Sequence, residues 1–317
     1  MNDKILIAIA SANEKHLKQT VQSAINNSNS PEKLVFVIFD SCLNNFPKAD
    51  FKDFSNAFYI NVEFDGTLGV GLSRLVASSI ILPDVSYVLQ IDAHMIFAPN
   101  WDTNLVFSFN QLESVAEKPV ISLRSNEWSL DQDGKIIYNN IYNRLQKLVF
   151  SNFKDTAIKS GYPTIEGVSV SDEEYIEHSL ISAGFTFSRP DLYTEILHDP
   201  RLVWGGDEAV YALRAWSRGY RMFSIKTPIC FHYNKKIMKG AYGKGDPDDW
   251  RELKNNDPRL FPFYMKRYND GKRIMREILL GEYVGYWGAP SVEKLKEFEL
   301  TCGINFKDFY DIVDKNA

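Results

Sequence analysis

Cysteine and histidine are scarce in these 317 residues, with three of the first (Cys42, Cys230, Cys302) and five of the second. The cysteines lie far apart and form no CxxC pair, which argues against a cysteine-built zinc site or a disulfide framework. A basic excess is missing too. The net charge is −5 and the isoelectric point 5.7, so a strongly basic nucleic-acid binder is not the default, although a local basic patch stays open. Long apolar runs are absent: the stretch Ile5–Ala10 is too short for a signal-peptide core, and nothing approaches the ~20 apolar residues of a membrane span. A cytoplasmic protein with no membrane partner is expected. There is no internal repeat, low-complexity tract or Gly/Ser linker.

What is present describes a globular enzyme-sized chain. Hydrophobic residues at 44% and charged residues at 24% exclude disordered and collagenous classes. The length allows one large α/β domain or two small ones. Aromatics at 14% suit either a Phe-filled core or a cleft that holds rings or sugars.

Lys4–Ala10 has the continuous apolar character of a buried parallel strand, and Asn13–Ile25 spaces Leu17, Val21 and Ala24 as a helix does. Leu34–Phe39 closing on Asp40, Phe58–Phe64, and Val85–Ile91 ending on Asp92 read as further strands, with Val70–Ser79 as a helix. This order predicts a mainly parallel, doubly wound sheet flanked by helices, with ligands beyond the carboxyl ends of its strands, where Asp40 and Asp92 sit. From Trp101 to about Ser182 the pattern yields one helix (Trp101–Leu112), one strand (Val120–Leu123) and a polar stretch. Ile181–Ser188, Met222–Ile225 and Ile229–His232 read as extended, and Asp207–Arg218 as a helix behind a Gly-Gly turn.

Tyr233–Leu280 holds 12 Lys/Arg against 7 Asp/Glu, a net of +5. That is either a solvated helical surface or a basic flap that meets a diphosphate or another anion. Gly240, Gly243 and Gly245 would hinge the flap, and Lys235, Lys236, Lys239 and Lys244 would charge it. The expected division is a core over 1–235 and a basic flap with a helical C-terminal extension over 236–317, packed as one unit.

Three segments carry chemistry. In Gln90-Ile91-Asp92-Ala93-His94-Met95, a carboxylate and an imidazole two residues apart project to the same side of an extended chain, where they can clamp a divalent ion. A mixed carboxylate and imidazole set suits Mn²⁺ better than Ca²⁺. A capping Asp followed by a hydrogen-bonded His gives the same pattern. In Trp204-Gly205-Gly206-Asp207-Glu208, two glycines permit close approach of a ligand to the backbone. The acidic pair Asp207 and Glu208 opens a helix, where the macrodipole alone also favours it. Finally, His232 ends the apolar run Ile229–His232.

With these segments in order, the chain resembles metal-dependent glycosyltransferases of the GT-A fold. The likeness is strongest to the GlcNAc-transferases that modify hydroxyproline in Skp1, over about Ile5 to Phe306. It runs through Ile5–Ser11, Gly69–Ala77 with Ser73-Arg74, Gln90–Met95, Ala183-Gly184-Phe185, Asp199-Pro200, the Gly-Asp-Glu helix and Phe231-His232-Tyr233. The Trp204-Gly205-Gly206-Asp207 turn also resembles the Trp-Gly-Gly-Glu turn of polypeptide GalNAc-transferases. The resemblance implies a Rossmann-like GT-A core and metal ligands at Asp92, His94 and His232, for Mn²⁺ or Mg²⁺. It implies nucleotide-sugar contacts at Ser11, Asp40, Arg74, Asp92, Trp204, Gly205 and Gly206, with Arg74 near the diphosphate and Asp40 at the base. Asp207 and Glu208 would be catalytic, holding sugar hydroxyls or orienting the acceptor. Asp207 stands where the GalNAc-transferases have Glu, and Glu208 where they have Asn. The Skp1-type family tends towards Gly-Glu-Glu. The absence of an anchor or lectin-like domain argues against Golgi mucin-type work.

The implied activity is a hexosyl- or pentosyltransferase that moves a sugar, with retention, from a UDP-linked or other nucleotide sugar to a hydroxyl on a protein or glycan. A modified base in DNA is the rival acceptor, and a non-catalytic nucleotide- or glycan-binding module the rival class. Charge gives the mechanism its logic. A divalent ion and a nearby cation stabilise the negative charge that develops on the departing diphosphate.

Overall fold

Lys4–Ala12 (β1) divides its apolar side chains between two cores: Leu6 and Ala8 enter one, and Ile5, Ile7 and Ile9 enter the other. A strand covered on both faces has no polar alternation, which accounts for the continuous apolar run. A computed structural model describes residues 4–12, 14–42, 48–63, 68–139, 145–151, 154–170, 173–233, 259 and 261–316. In it, β1 lies between β2 (Leu34–Cys42) and β4 (Val85–Asp92), parallel to both, and β3 (Ala57–Glu63) extends the parallel half beyond β2. Past β4 the eight-stranded sheet continues through β12 (Phe185–Ser188), β6 (Pro119–Ser122), β13 (Arg221–Ile225) and β11 (Tyr175–His178). Here β12 runs antiparallel to both its neighbours and β11 antiparallel to β13, so the expected parallel character holds for the β3-β2-β1-β4 half and the β6–β13 pair.

Helices cover both faces. On the face of Ile5 lie α1 (Leu17–Asn26) and α3 (Trp101–Leu112), which bury Val21, Trp101 and Phe109. On the face of Leu6 lie α2 (Val70–Ser79), α5 (Asp191–Glu195) and α6 (Asp207–Trp216). The C-terminal helices α7 (Phe261–Leu279), α8 (Val292–Cys302) and α9 (Phe306–Lys315) pack into that same core through Met275, Phe298, Phe306 and Phe309.

The stretch 123–180, legible in the sequence only as polar, contains β7 (Asn126–Leu130), β8 (Ile136–Asn139), β9 (Gln146–Phe150), α4 (Asp155–Ser160) and β10 (Ile165–Ser169) before β11. A second sheet joins β5 (Met95–Phe97), β14 (Cys230–Tyr233), β7 and β8 in that order. Its register sets His232 opposite Met95, so a strand from the far end of the core arrives beside His94. The cysteines Cys230 and Cys302 are free thiols. No helix among the described residues is long and apolar enough to cross a membrane. The expected flap, with Lys235, Lys236, Lys239, Lys244 and its glycine hinges, lies outside the described residues, as does the boundary at 235/236.

Candidate functional site

Asp92 is the last residue of β4, and the chain bends at Ala93-His94 before β5. The two side chains therefore converge through a bend, where the sequence suggested continuous extension. The bend is clamped from both sides. Thr20 Oγ1 on α1 donates to Ala93 O at 2.9 Å and accepts the Met95 N–H at 2.9 Å. The Trp128 indole and the Tyr233 N–H both donate to His94 O, each at 3.1 Å. His94 Nε2 then lies 2.9 Å from His232 Nε2, and His232 Nε2 lies 3.3 Å from Asp92 Oδ2. One ligand atom from each of Asp92, His94 and His232 falls within 4.8 Å of the others. Two imidazoles and a carboxylate make a donor set for a transition-metal or Mn²⁺ ion.

Burial lowers the His232 pKa, only partly opposed by Asp92, so the ring is neutral at neutral pH. Its contact with Asp92 is thus a hydrogen bond. Burial also acts to raise Asp92, but that bond and the Arg74 charge outweigh it and hold the carboxyl well below its usual range.

Arg74 reaches this centre because α2 starts against residues 199–203. The Val70 N–H donates to Val203 O at 2.8 Å and the Gly71 N–H to Leu202 O at 3.0 Å, and a Cβ on Gly71 would strike the backbone carbonyls of Asp199 and Leu202. The segment leads directly into the Trp204–Asp207 turn. Arg74 Nη1 lies 2.5 Å from Asp207 Oδ2 and Nη2 lies 3.4 Å from Asp92 Oδ1, so one guanidinium bridges the two ends of the site. Glu208 Oε1 accepts the Ala183 N–H at 2.8 Å. Its carboxyl is pushed up to about 7 by burial and then by Asp207, against the pull of Arg74.

Packing also requires the two glycines of the turn. Gly205 and Gly206 have φ of 72° and 73°, the left-handed region that side chains avoid. A Cβ on the first would strike the Tyr162 ring, and on the second the Met275 sulfur. Trp204 beside them is exposed.

Ser11 and Asp40 are register partners at the carboxyl ends of β1 and β2, and Ala10 of β1 is the partner of Asp92. Both are buried, and Ser11 Oγ and Asp40 Oδ1 have no hydrogen-bond partner among the described residues, while Tyr59 donates to Asp40 Oδ2 at 2.8 Å. Unsatisfied buried polar atoms are costly, which points to a ligand that completes them.

Three contributors went unassigned in the sequence. Glu14 Oε2 lies 2.7 Å from His94 Nδ1. Gln90 accepts from His198 Nε2 at 2.6 Å and donates to Ala183 O at 3.0 Å. His198, kept neutral by burial, stacks on Tyr211 at 4.1 Å. His198 and Gln90 thus support the backbone that in turn donates to Glu208. Only spatial proximity reveals them, since 80 residues separate Glu14 from His94 and 108 separate Gln90 from His198.

A family model described as Glycosyltransferase (GlcNAc) matches residues 54–279. The chain belongs to this family. Narrower assignment to the Skp1 hydroxyproline GlcNAc-transferases does not follow from that match. Among solved structures, the glycosyltransferase is similar to GalNAc-T7 with UDP, GalNAc and Mn²⁺, at a TM-score of 0.56 and 15% identity over 99% of this chain. At that identity the likeness shows the shared GT-A fold. It also matches TarS of S. aureus in complex with UDP, at a TM-score of 0.43 and 12% identity over 74% of this chain. The chain spans 57% of the GalNAc-T7 chain and 63% of that TarS chain. A search of curated proteins gives no significant match.

Proposed function

We propose that this glycosyltransferase moves a sugar from a UDP-linked donor to an acceptor hydroxyl, with Mn²⁺ (or Mg²⁺) held by Asp92, His94 and His232. The observation that carries the reading is the convergence of those three side chains at the carboxyl end of β4, beside the unsatisfied Ser11 Oγ and Asp40 Oδ1. Membership of the GlcNAc family supports the reaction class, and the UDP and Mn²⁺ held by GalNAc-T7 support the donor and the ion. A bound divalent ion supplies Lewis-acid stabilisation of the departing diphosphate.

The protein's own side chains do the rest. Asp40 and Ser11 hold the nucleotide from the ends of β1 and β2. Arg74 pairs with Asp92 and Asp207 and adds fixed positive charge next to the leaving group. Asp207 is tied to Arg74 and Glu208 to the Ala183 N–H, so neither is poised as a nucleophile for double displacement. Both are placed to hold sugar or acceptor hydroxyls. With no covalent intermediate, retention requires the acceptor to approach from the side of the departing diphosphate. We assign the acceptor hydroxyl to a protein or glycan.

Release of UDP from a panel of UDP-sugars, with and without EDTA, tests the reading. Mn²⁺-dependent release from at least one sugar is expected, with near-complete loss in Asp92→Asn and His232→Ala. Turnover that persists in EDTA, or in either variant, overturns it.

A further inference from the structure

His94 offers an ion only one of its two ring nitrogens, and its neutral form can present the lone pair on either. Glu14 decides between them. Its Oε2 lies 2.7 Å from His94 Nδ1, and its Oε1 accepts the His16 N–H at 3.1 Å. The Glu14 side chain is 6% exposed and that of His94 15%, so water does not compete freely for the contact. With Glu14 Oε2 accepting from the ring at that distance, the proton sits on Nδ1 and the lone pair on Nε2. That is the nitrogen 2.9 Å from His232 Nε2, which in turn lies 3.3 Å from Asp92 Oδ2.

We propose that Glu14 is a positioning residue that locks His94 in its Nδ1–H tautomer and aims Nε2 at the ion. The inference rests on the metal reading above. The second oxygen gives the lock its rigidity, because the His16 amide opening α1 fixes the rotation of the carboxylate. Glu14 lies between Ser11 of β1 and the start of α1, so the turn that leaves the nucleotide-facing strand also orients a metal ligand.

The test uses the full chain with Glu14→Ala and Glu14→Gln. Free Mn²⁺ measured by electron paramagnetic resonance gives affinity without nucleotide or turnover, and nitrogen-15 spectra of the histidine-labelled, metal-free protein report the tautomer. Glu14→Ala should weaken Mn²⁺ binding by about 10- to 100-fold, the usual effect of losing a carboxylate behind a ligating histidine. Its His94 signal should move from a single Nδ1–H form to a mixture. Glu14→Gln, whose carbonyl oxygen still accepts from Nδ1, should recover most of both, and it stands in if the alanine variant fails to fold. Unchanged affinity together with an unchanged tautomer in folded Glu14→Ala overturns the proposal. A wild-type protein that binds no Mn²⁺ overturns the metal reading instead, and the tautomer measurement then decides the role of Glu14 by itself.

Discussion

Arg74 stands between two carboxylates with only 10% of its side chain exposed. Removing one partner of such a buried pair leaves an uncompensated charge and costs about 3–5 kcal/mol. Arg74→Ala is therefore expected to lose about that much in urea denaturation, and the double variant Arg74→Ala/Asp207→Ala to regain part of it. Additive losses would show that the two groups are not coupled. Glu208 gives a pH signature of the opposite kind. Its folded pKa is raised towards 7, so the native state binds the extra proton between the ordinary carboxylate range and neutrality. Wild-type stability carries an increasing penalty as pH rises through that window. Glu208→Gln should match wild type at pH 4 and melt higher than wild type at pH 8, both in EDTA. A difference that is the same at both pH values would count against the raised pKa.

Two of the elements that meet at the site approach each other closely at Gly184 and Asp92. A Cβ on Gly184, just before β12, would sit 2.8 Å from Asp92 Oδ2. The carboxylate is already held by Arg74 and His232, so it cannot yield without leaving the ligand cluster. Gly184→Ala should weaken Mn²⁺ binding on the order of tenfold, with a melting temperature close to wild type. Unchanged affinity would mean that the carboxylate relaxes within the site. At this scale legibility followed burial. β1, β2 and β4 were readable from the sequence because they are largely apolar over both faces they bury, α3 because it buries Trp101, Leu105, Phe109 and Leu112, and α2 by the small residues Gly71, Ser73, Ala77 and Ser78 on its inward face. By contrast, β7 is Asn-Glu-Trp-Ser-Leu and β10 is Ile-Glu-Gly-Val-Ser, short strands with partly exposed faces and too few apolar residues to set a period. Asp92 and His94 could be paired by spacing, whereas His232 joined them only through the resemblance to the GalNAc-transferases. Nothing local in the sequence marks Glu14, which reads as an ordinary acid in the first turn of the helix expected over Asn13–Ile25.

At the scale of the molecule, the last helices complete the core that the sheet begins. Phe298, Phe306, Phe309 and Tyr310 are at most 2% exposed, and the first two pack on Phe150 of β9. Burying four such side chains contributes roughly 6–12 kcal/mol, at about 1.5–3 each. That is comparable with the whole stability of a typical domain, about 5–15 kcal/mol. Deleting residues 292–317 should therefore abolish cooperative thermal unfolding and near-ultraviolet dichroism. A truncated chain that still melts cooperatively near the wild-type temperature would mark these helices as an appendage. A helical extension was legible in the sequence but this dependence was not, because the apolar partners in β9 lie in the least legible stretch.

His94 and His232 are 138 positions apart along the chain. An ion shared between them would close nearly half the polypeptide into a ring, a staple of the sort whose entropic leverage on the unfolded chain grows with the length it encloses. Unlike a disulfide, it would come away with a chelator. Loading it to a hundred times its dissociation constant would add about 2.7 kcal/mol to folding, so supply of the ion would govern how long the enzyme lasts as well as whether it works.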